Sequence, residues 1–332
     1  MSVKGQDQGL ANVVLTGVTG FIGRRLAQIL IDRGYKVYAL VRHSAARDLS
    51  NIANLLDRMI LLTADLRDYP SVRNAIRSAN PNFVCHLGAL TPVRYSFEHP
   101  FENEETNYKG TMNIVHALLE TPDFKSRRLL FASTAEVYGW QKEKIPFTED
   151  LSLNPASPYA VSKAAADMYI RMAGEVYGLN YTVLRPSNSY GRVSETGFIV
   201  EYLITAMLRD EKIYIGAPDS VRDYMYVDDH ANAYATAIEN RNAEQQTFNV
   251  STGVPTSNRE LAEKIAKHLG GSHPIVFGSY PPGYPQRPSF SDPSYLVLDN
   301  GKIQKSMDWK PTTNIDDGLQ TAIEHWKQKL AR

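Results

Sequence analysis

Cysteine is almost absent from this chain. Cys85 is the only one among 332 residues, so no intrachain disulfide forms, which suits a reducing cytosol. No stretch approaches 18 consecutive apolar residues, so nothing in the sequence spans a bilayer. The first nine residues are polar and lack the apolar core of a signal peptide, and a cytoplasmic protein is expected. An excess of charge of one sign is also missing. With 36 Lys and Arg against 36 Asp and Glu, there is no bulk electrostatic pull toward nucleic acid or an anionic membrane. Internal repeats and low-complexity segments are absent too. What is there, 43% hydrophobic and 22% charged residues, is the composition of a soluble globular protein. The length exceeds what one core usually serves, so one large domain and a smaller one are expected.

Asn12-Val13-Val14-Leu15-Thr16 is a short apolar run, followed at once by Gly17-Val18-Thr19-Gly20-Phe21-Ile22-Gly23. Residues 24–33 carry apolar side chains at helical spacing and stop at Gly34, and residues 35–41 read as a second strand. Strand, glycine turn, helix and strand make the βαβ unit that holds a dinucleotide pyrophosphate on a helix N-terminus. Gly17 and Gly20, with Phe21 and Ile22 beside them, let backbone approach the phosphates; Gly23 lets the helix pack on the strand. At the end of the second strand, Leu40-Val41-Arg42-His43-Ser44 offers no carboxylate for a ribose 2′-hydroxyl and one fixed cation. Arg42 therefore points to NADP over NAD, since a guanidinium suits the extra phosphate; the alternative is a solvated loop arginine. Further strands are read at 59–63, 83–87, 127–132 and 181–184, with one long helix over residues 100–120. His86 falls inside the sheet and reads as structural, and small residues in Gly88-Ala89-Leu90 let backbone lie against a cofactor.

The second chemical signal is Ser157-Pro158-Tyr159-Ala160-Val161-Ser162-Lys163. With Pro158 opening a helix, Tyr159 and Lys163 stand four apart on one face. A tyrosine releases its proton near pH ~10, too high for a base at neutrality. The Lys163 ammonium is expected to stabilise the phenolate and bring Tyr159 toward the working range. A pair of that spacing also arises by chance on a helix surface.

Taken together, the Gly-x-x-Gly-x-x-Gly spacing, Tyr159 and Lys163 resemble the short-chain dehydrogenase/reductase superfamily over residues 12–328. The chain is most similar to its extended branch, whose members epimerise, dehydrate or decarboxylate nucleotide sugars. The resemblance implies an α/β fold with a Rossmann-type doubly wound parallel sheet and a smaller C-terminal α/β substrate domain. Residues 1–185 would bind NAD or NADP, and 186–332 mostly the nucleotide-diphosphate sugar, with segments near 221–250 returning to the first domain. It implies that Asp65 contacts the adenine amino group, that Leu66 packs on the ring, and that Leu87 and Ala89 line the cofactor. Asn107 matches a structural asparagine. Pro186 and Ser187 would neighbour the nicotinamide, and Asn188 would bind the substrate diphosphate. Arg222 would clamp that diphosphate, with Arg287 as a second clamp, because a guanidinium fork suits two phosphate oxygens. A homodimer through helices near 100–120 and 158–177 is implied as well, and no metal is.

The reaction turns on Ser133-Thr134-Ala135-Glu136, at the end of the fifth strand, where parallel sheets place their ligands. By resemblance, Thr134 hydrogen-bonds the sugar oxygen that Tyr159 deprotonates, and Ser133 lines the same wall. Glu136 resembles the carboxylate of the 4,6-dehydratases, which removes the C5 proton once C4 is oxidised; otherwise it is a glutamate in a turn. Ala135 departs from the dTDP-glucose dehydratases, which have aspartate there, while GDP-mannose dehydratases and UDP-glucuronate decarboxylases manage with a small residue. The expectation is a nucleotide-sugar 4,6-dehydratase. The alternatives are a 4-epimerase, a decarboxylase, or a non-catalytic Rossmann module that binds nucleotide.

Overall fold

The computed structural model describes residues 11–44, 49–271, 273–283, 288 and 290–331. Its strands, in chain order, are β1 (Asn12–Thr16), β2 (Lys36–Val41), β3 (Ile60–Thr63), β4 (Phe83–His86), β5 (Arg128–Ala132), β6 (Asn180–Pro186), β7 (Asn188–Tyr190), β8 (Ile213–Ile215), β9 (Val221–Tyr226), β10 (Gln246–Val250), β11 (Pro255–Ser257), β12 (Ile275–Phe277) and β13 (Tyr295–Leu296). Seven of them form one parallel sheet in the order β3-β2-β1-β4-β5-β6-β10. Leu61, Ala39, Leu15, Cys85 and Leu130 stand in register on one face, and the next row, from Leu62 through Thr16 and His86 to Val183, faces the other way. Both faces are covered, which is why these strands read as continuous apolar runs without alternation. Helices Phe21–Asp32 and Val227–Glu239 bury Leu26, Leu30, Tyr234 and Ile238 on the first face. Helices Tyr69–Ala79, Gly110–Leu119 and Pro158–Tyr177 bury Ile76, Ile114, Leu118 and Ile170 on the second. This is the Rossmann-type, doubly wound α/β fold. Strand order reverses between β1 and β4, so a crevice opens there at the C-terminal strand ends.

A smaller sheet is built around β9, with β11 and β13 beside it and β7 also paired to it. Helices Ile199–Leu208, Asn258–Leu269 and Ile315–Leu330 close a separate core there, with Leu203, Leu261, Leu319 and Trp326 in it. The chain crosses back between the two bodies, since helix Val227–Glu239 and β10 both belong to the large sheet. Among the described residues, no helix is long and apolar enough to cross a membrane.

One element differs from its sequence-based expectation. The single helix expected over residues 100–120 is α-helical at Pro100–Glu104 and Gly110–Leu119, with a π-helical turn at Glu105–Lys109 between them. The wider turn seats Asn107, which is buried. Its Oδ1 accepts from Leu90 N at 2.8 Å, and its Nδ2 donates to Leu90 O at 3.0 Å and to Ser162 Oγ at 3.1 Å. Asn107 thereby ties the loop after β4 to the helix that carries Tyr159 and Lys163. Such turns concentrate at functional sites.

Candidate active site

A cavity of about 610 Å³ lies over the C-terminal ends of β1 to β6 and reaches across to β9. Its floor is set by the glycine turn. Gly17 has φ +75°, and a Cβ there would stand 2.8 Å from Gly88 N. A Cβ on Gly23 would stand 2.0 Å from Gly17 O, so only glycine lets the helix start this close to the strand. Helix Phe21–Asp32 follows Gly20 with no side-chain cap. Its first N–H groups are therefore left for an acceptor in the cavity, and its dipole favours an anion there. Gly20, Phe21 and Ile22 all line this end.

The expected cofactor residues meet on this wall: Arg42, Asp65, Leu66, Leu87 and Ala89 line it, as do Pro186 and Ser187 farther along. The Asp65 carboxylate is gripped by Arg67, at 3.0 Å from Nε and 2.7 Å from Nη2, and that bond holds Asp65 below the usual carboxylate range. Arg42, exposed at the end of β2, adds its charge in the same direction. Under the floor, Thr16 Oγ1 accepts from Gly88 N and meets His86 Nδ1, both at 2.8 Å, and His86 Nε2 meets Thr111 Oγ1 at 3.1 Å. Burial first, and the Lys163 charge second, push His86 down to about 3, so it stays a neutral strut.

Ser157 caps helix Pro158–Tyr177 by accepting from Ala160 N at 3.1 Å, and Pro158 fixes its first turn. Tyr159 and Lys163 both face the cavity, at 7% and 2% exposure. Thr134, two residues past β5 and still extended, caps the short turn that follows, its Oγ1 accepting from Glu136 N at 3.2 Å. Its side chain is also near enough to Tyr159 to lower that group's proton affinity. Glu136, half-buried on the same wall, stands close enough for its charge to act on Tyr159.

The proton affinities here differ from expectation. Burial lifts Tyr159 well above its usual range, the Thr134 side chain lowers it, and the Glu136 charge raises it again. Burial instead brings Lys163 down to about 7, against the pull of the Asp167 charge. The ammonium lies over the Phe131 ring, 4.2 Å from its centroid. Both groups are desolvated, and that outweighs the mutual help inferred from their spacing.

Three further expectations meet partners that the sequence did not reveal. The Ser133 hydroxyl donates to Asp167 Oδ2 at 2.8 Å, and Asp167 is gripped by Arg185 at 2.9 and 3.1 Å and by Arg171 at 2.9 Å. Burial works against the Asp167 charge, yet these partners hold its carboxyl below the usual range. The Ser187 hydroxyl donates to Asp223 Oδ1 at 3.1 Å, and Asp223 also accepts from Thr252 and Gly253. Arg222 lines the cavity but is paired with Asp292, Nη2 to Oδ1 at 2.5 Å. Asn188 lines the cavity between these groups. Arg287 lies outside the described residues. Asp167 was within reach of sequence reasoning, one helical turn after Lys163, whereas Arg185, Asp223 and Asp292 carried no comparable signal.

A family model described as GDP-mannose 4,6 dehydratase matches residues 14–322. The chain belongs to this family, within the nucleotide-sugar epimerase/dehydratase branch of the extended short-chain dehydrogenases/reductases. A dTDP-glucose 4,6-dehydratase of Xanthomonas campestris is 27% identical, over 95% of this chain and 93% of its own length. The crystal structure of a UDP-glucose 4-epimerase from Thermotoga maritima with UDP-glucose superposes with TM-score 0.86 at 27% identity, covering 96% of this family member and 99% of that chain. That of a UDP-glucose 4-epimerase from Thermus thermophilus complexed with NAD gives 0.83 at 29% identity, covering 95% and 98%.

Proposed function

We propose that this family member is an NAD(P)-dependent nucleotide-sugar 4,6-dehydratase. The observation that carries the reading is Glu136, a carboxylate on the cavity wall whose charge reaches Tyr159. The residues present fit a dinucleotide: an uncapped helix N-terminus for the pyrophosphate, and a turn that only glycines can form. Bound NAD(P)⁺ supplies a hydride acceptor for the sugar C4 and a positive charge that favours the Tyr159 phenolate. Tyr159 takes the proton of the sugar 4-hydroxyl while Thr134 holds that oxygen. The resulting 4-keto group acidifies the C5 hydrogen. Glu136 removes it as a proton, which leaves with the C6 hydroxyl as water, and the hydride from C4 returns to C6. Asn188 and Arg222 hold the diphosphate, with Asp292 giving way to it, and Arg287 is proposed as the second clamp. Residues 1–185 would serve the cofactor and most of 186–332 the sugar nucleotide.

Arg42 and the missing carboxylate at the end of β2 favour NADP over NAD, so NADP should bind the more tightly in a side-by-side titration. We also propose a homodimer through helices near 100–120 and 158–177. Phe101, Val161, Met168 and Val176 are 81%, 53%, 56% and 64% exposed there, an apolar face that a second copy would cover. Sedimentation at the monomer mass would overturn it.

A 4-epimerase is the second reading, favoured by Ala135, which puts no acid beside Glu136 for the leaving hydroxyl. Incubation with UDP-, GDP-, CDP- and dTDP-hexoses separates the two. Loss of water supports the dehydratase; unchanged mass with inverted C4 selects the epimerase. Carbon dioxide from a UDP-uronic acid selects a decarboxylase. Glu136→Gln retains size but takes no proton, so hydride transfer from C4 should survive while 6-deoxy product falls 10²–10⁴-fold (about 3–5 kcal/mol) and reduced cofactor accumulates. Turnover at the wild-type rate would reduce Glu136 to a turn residue.

A further inference from the structure

His230 stands at the first turn of helix Val227–Glu239, 2% exposed, on the cavity wall with Ser187, Ser189 and Arg192. Its Nδ1 lies 2.6 Å from Ser189 Oγ, and Tyr234 stacks on the ring with centroids 5.5 Å apart. Its Nε2 is buried and has no hydrogen-bond partner among the described residues. Buried polar atoms in native proteins are nearly always paired, so this nitrogen asks for an explanation. His86 is the contrast: equally buried at a strand end, it has both ring nitrogens engaged. That His86 is a strut follows from its two threonines. His230 has only one such anchor.

The anchor also sets the tautomer. Among the described residues, the Ser189 hydroxyl reaches, besides His230, only the Ser187 carbonyl, at 3.5 Å, the outer limit of a hydrogen bond. Its proton is better placed on His230 Nδ1, which leaves the ring hydrogen on Nε2. Burial, aided by the Arg192 charge, drives the ring down to about 3, so a neutral N–H donor is held here across the physiological range. Its surroundings locate it along the cavity. Ser187 and Ser189 follow the end of β6, and the Arg192 guanidinium lies 4.5 Å from the centroid of Phe21 in the glycine turn. His230 therefore lies on the cavity wall beside Ser189 and within reach of the Arg192 charge, whose guanidinium touches the glycine turn.

We propose that His230 Nε2–H donates a hydrogen bond to an oxygen of the nicotinamide half of the dinucleotide and thereby fixes how deep that half sits. The inference rests on the dinucleotide reading of the cavity. It is tested by titrating the full chain, freed of bound nucleotide, with NAD, NADP and ADP, the last lacking the nicotinamide half. His230→Phe keeps a ring against Tyr234 but removes the donor; His230→Gln restores an amide N–H. The Phe variant should bind the preferred dinucleotide roughly tenfold more weakly, with ADP unchanged, and the Gln variant should recover most of the loss. If His230→Phe fails to fold, His230→Ala set against His230→Gln makes the same comparison. Unchanged dinucleotide affinity, an equal loss for ADP, or no recovery with Gln would overturn the role of His230. Wild-type protein that binds none of the three would instead overturn the dinucleotide reading.

Discussion

On the glycine-turn side, the cavity wall is mostly backbone, held where a single added Cβ at Gly23 would stand 2.0 Å from Gly17 O. On the β9 side, the wall is charged and polar side chains that already have partners, Arg222 with Asp292 and Ser187 with Asp223. The first wall offers fixed N–H groups that need no rearrangement to receive an anion. On the proposed reading, the second exchanges an internal ion pair for a ligand. Fit on the first side is thus a matter of sterics, and on the second a matter of displaceable charge. Substitutions on the two sides should fail in different ways.

The largest effect is expected from breaking the first wall. Gly23→Ala puts a methyl into the Gly17 carbonyl, backbone that cannot swing aside, and should cost about 3 kcal/mol of stability with loss of dinucleotide binding. Chemical denaturation and cofactor titration read both quantities. A variant that is wild-type in each would mean the turn is looser than its geometry.

Acid sharpens the same contrast, because the strut under the first wall is a histidine. His86 has a folded value of about 3 against an ordinary 6.5. The unfolded chain therefore takes up the proton first. The stabilising contribution is complete above pH 6.5 and is lost as pH falls toward 3, by ~2–3 kcal/mol at pH 4.5. His230, with the same direction and value, adds to the slope. His86→Asn should start less stable at pH 7 yet lose less between pH 6.5 and 4.5 in urea titrations. Parallel slopes would remove His86 from the account.

The smallest effect belongs to the second wall. Asp292 is about one-third exposed, so its pairing with Arg222 is partly screened and its net contribution modest. Asp292→Asn removes the charge that competes for Arg222 and should lower the KM for the sugar nucleotide about fivefold, close to 1 kcal/mol, with dinucleotide affinity unchanged. A raised KM would make Asp292 a ligand of the substrate, the opposite of a competitor.

The glycine turn, the strands of the parallel sheet, and the Tyr159–Lys163 face were legible in the sequence because each depends on residues within a turn or two of one another. A glycine at the third position of Gly-x-x-Gly-x-x-Gly announces a close helix start, and Pro158 after Ser157 announces a helix with its cap. Spacing also placed Thr134 and Glu136 at a strand end. The π-turn at 105–109 was not legible, since one extra residue in a turn barely alters the apolar rhythm of a long helix. The Asp167–Arg185 pair joins a helix to β6, Ser187–Asp223 joins the residue after β6 to β9, and the open nitrogen of His230 arises from burial by residues distant in sequence. Proton affinity was decided in the same way. Lys163 and Tyr159 are neighbours by sequence, but burial in the folded chain removed the water that would have supported the charged form of each. Local spacing determines which side chains share a face; only the assembled fold determines how much water they lose and which distant charge replaces it, and desolvation is the larger energy.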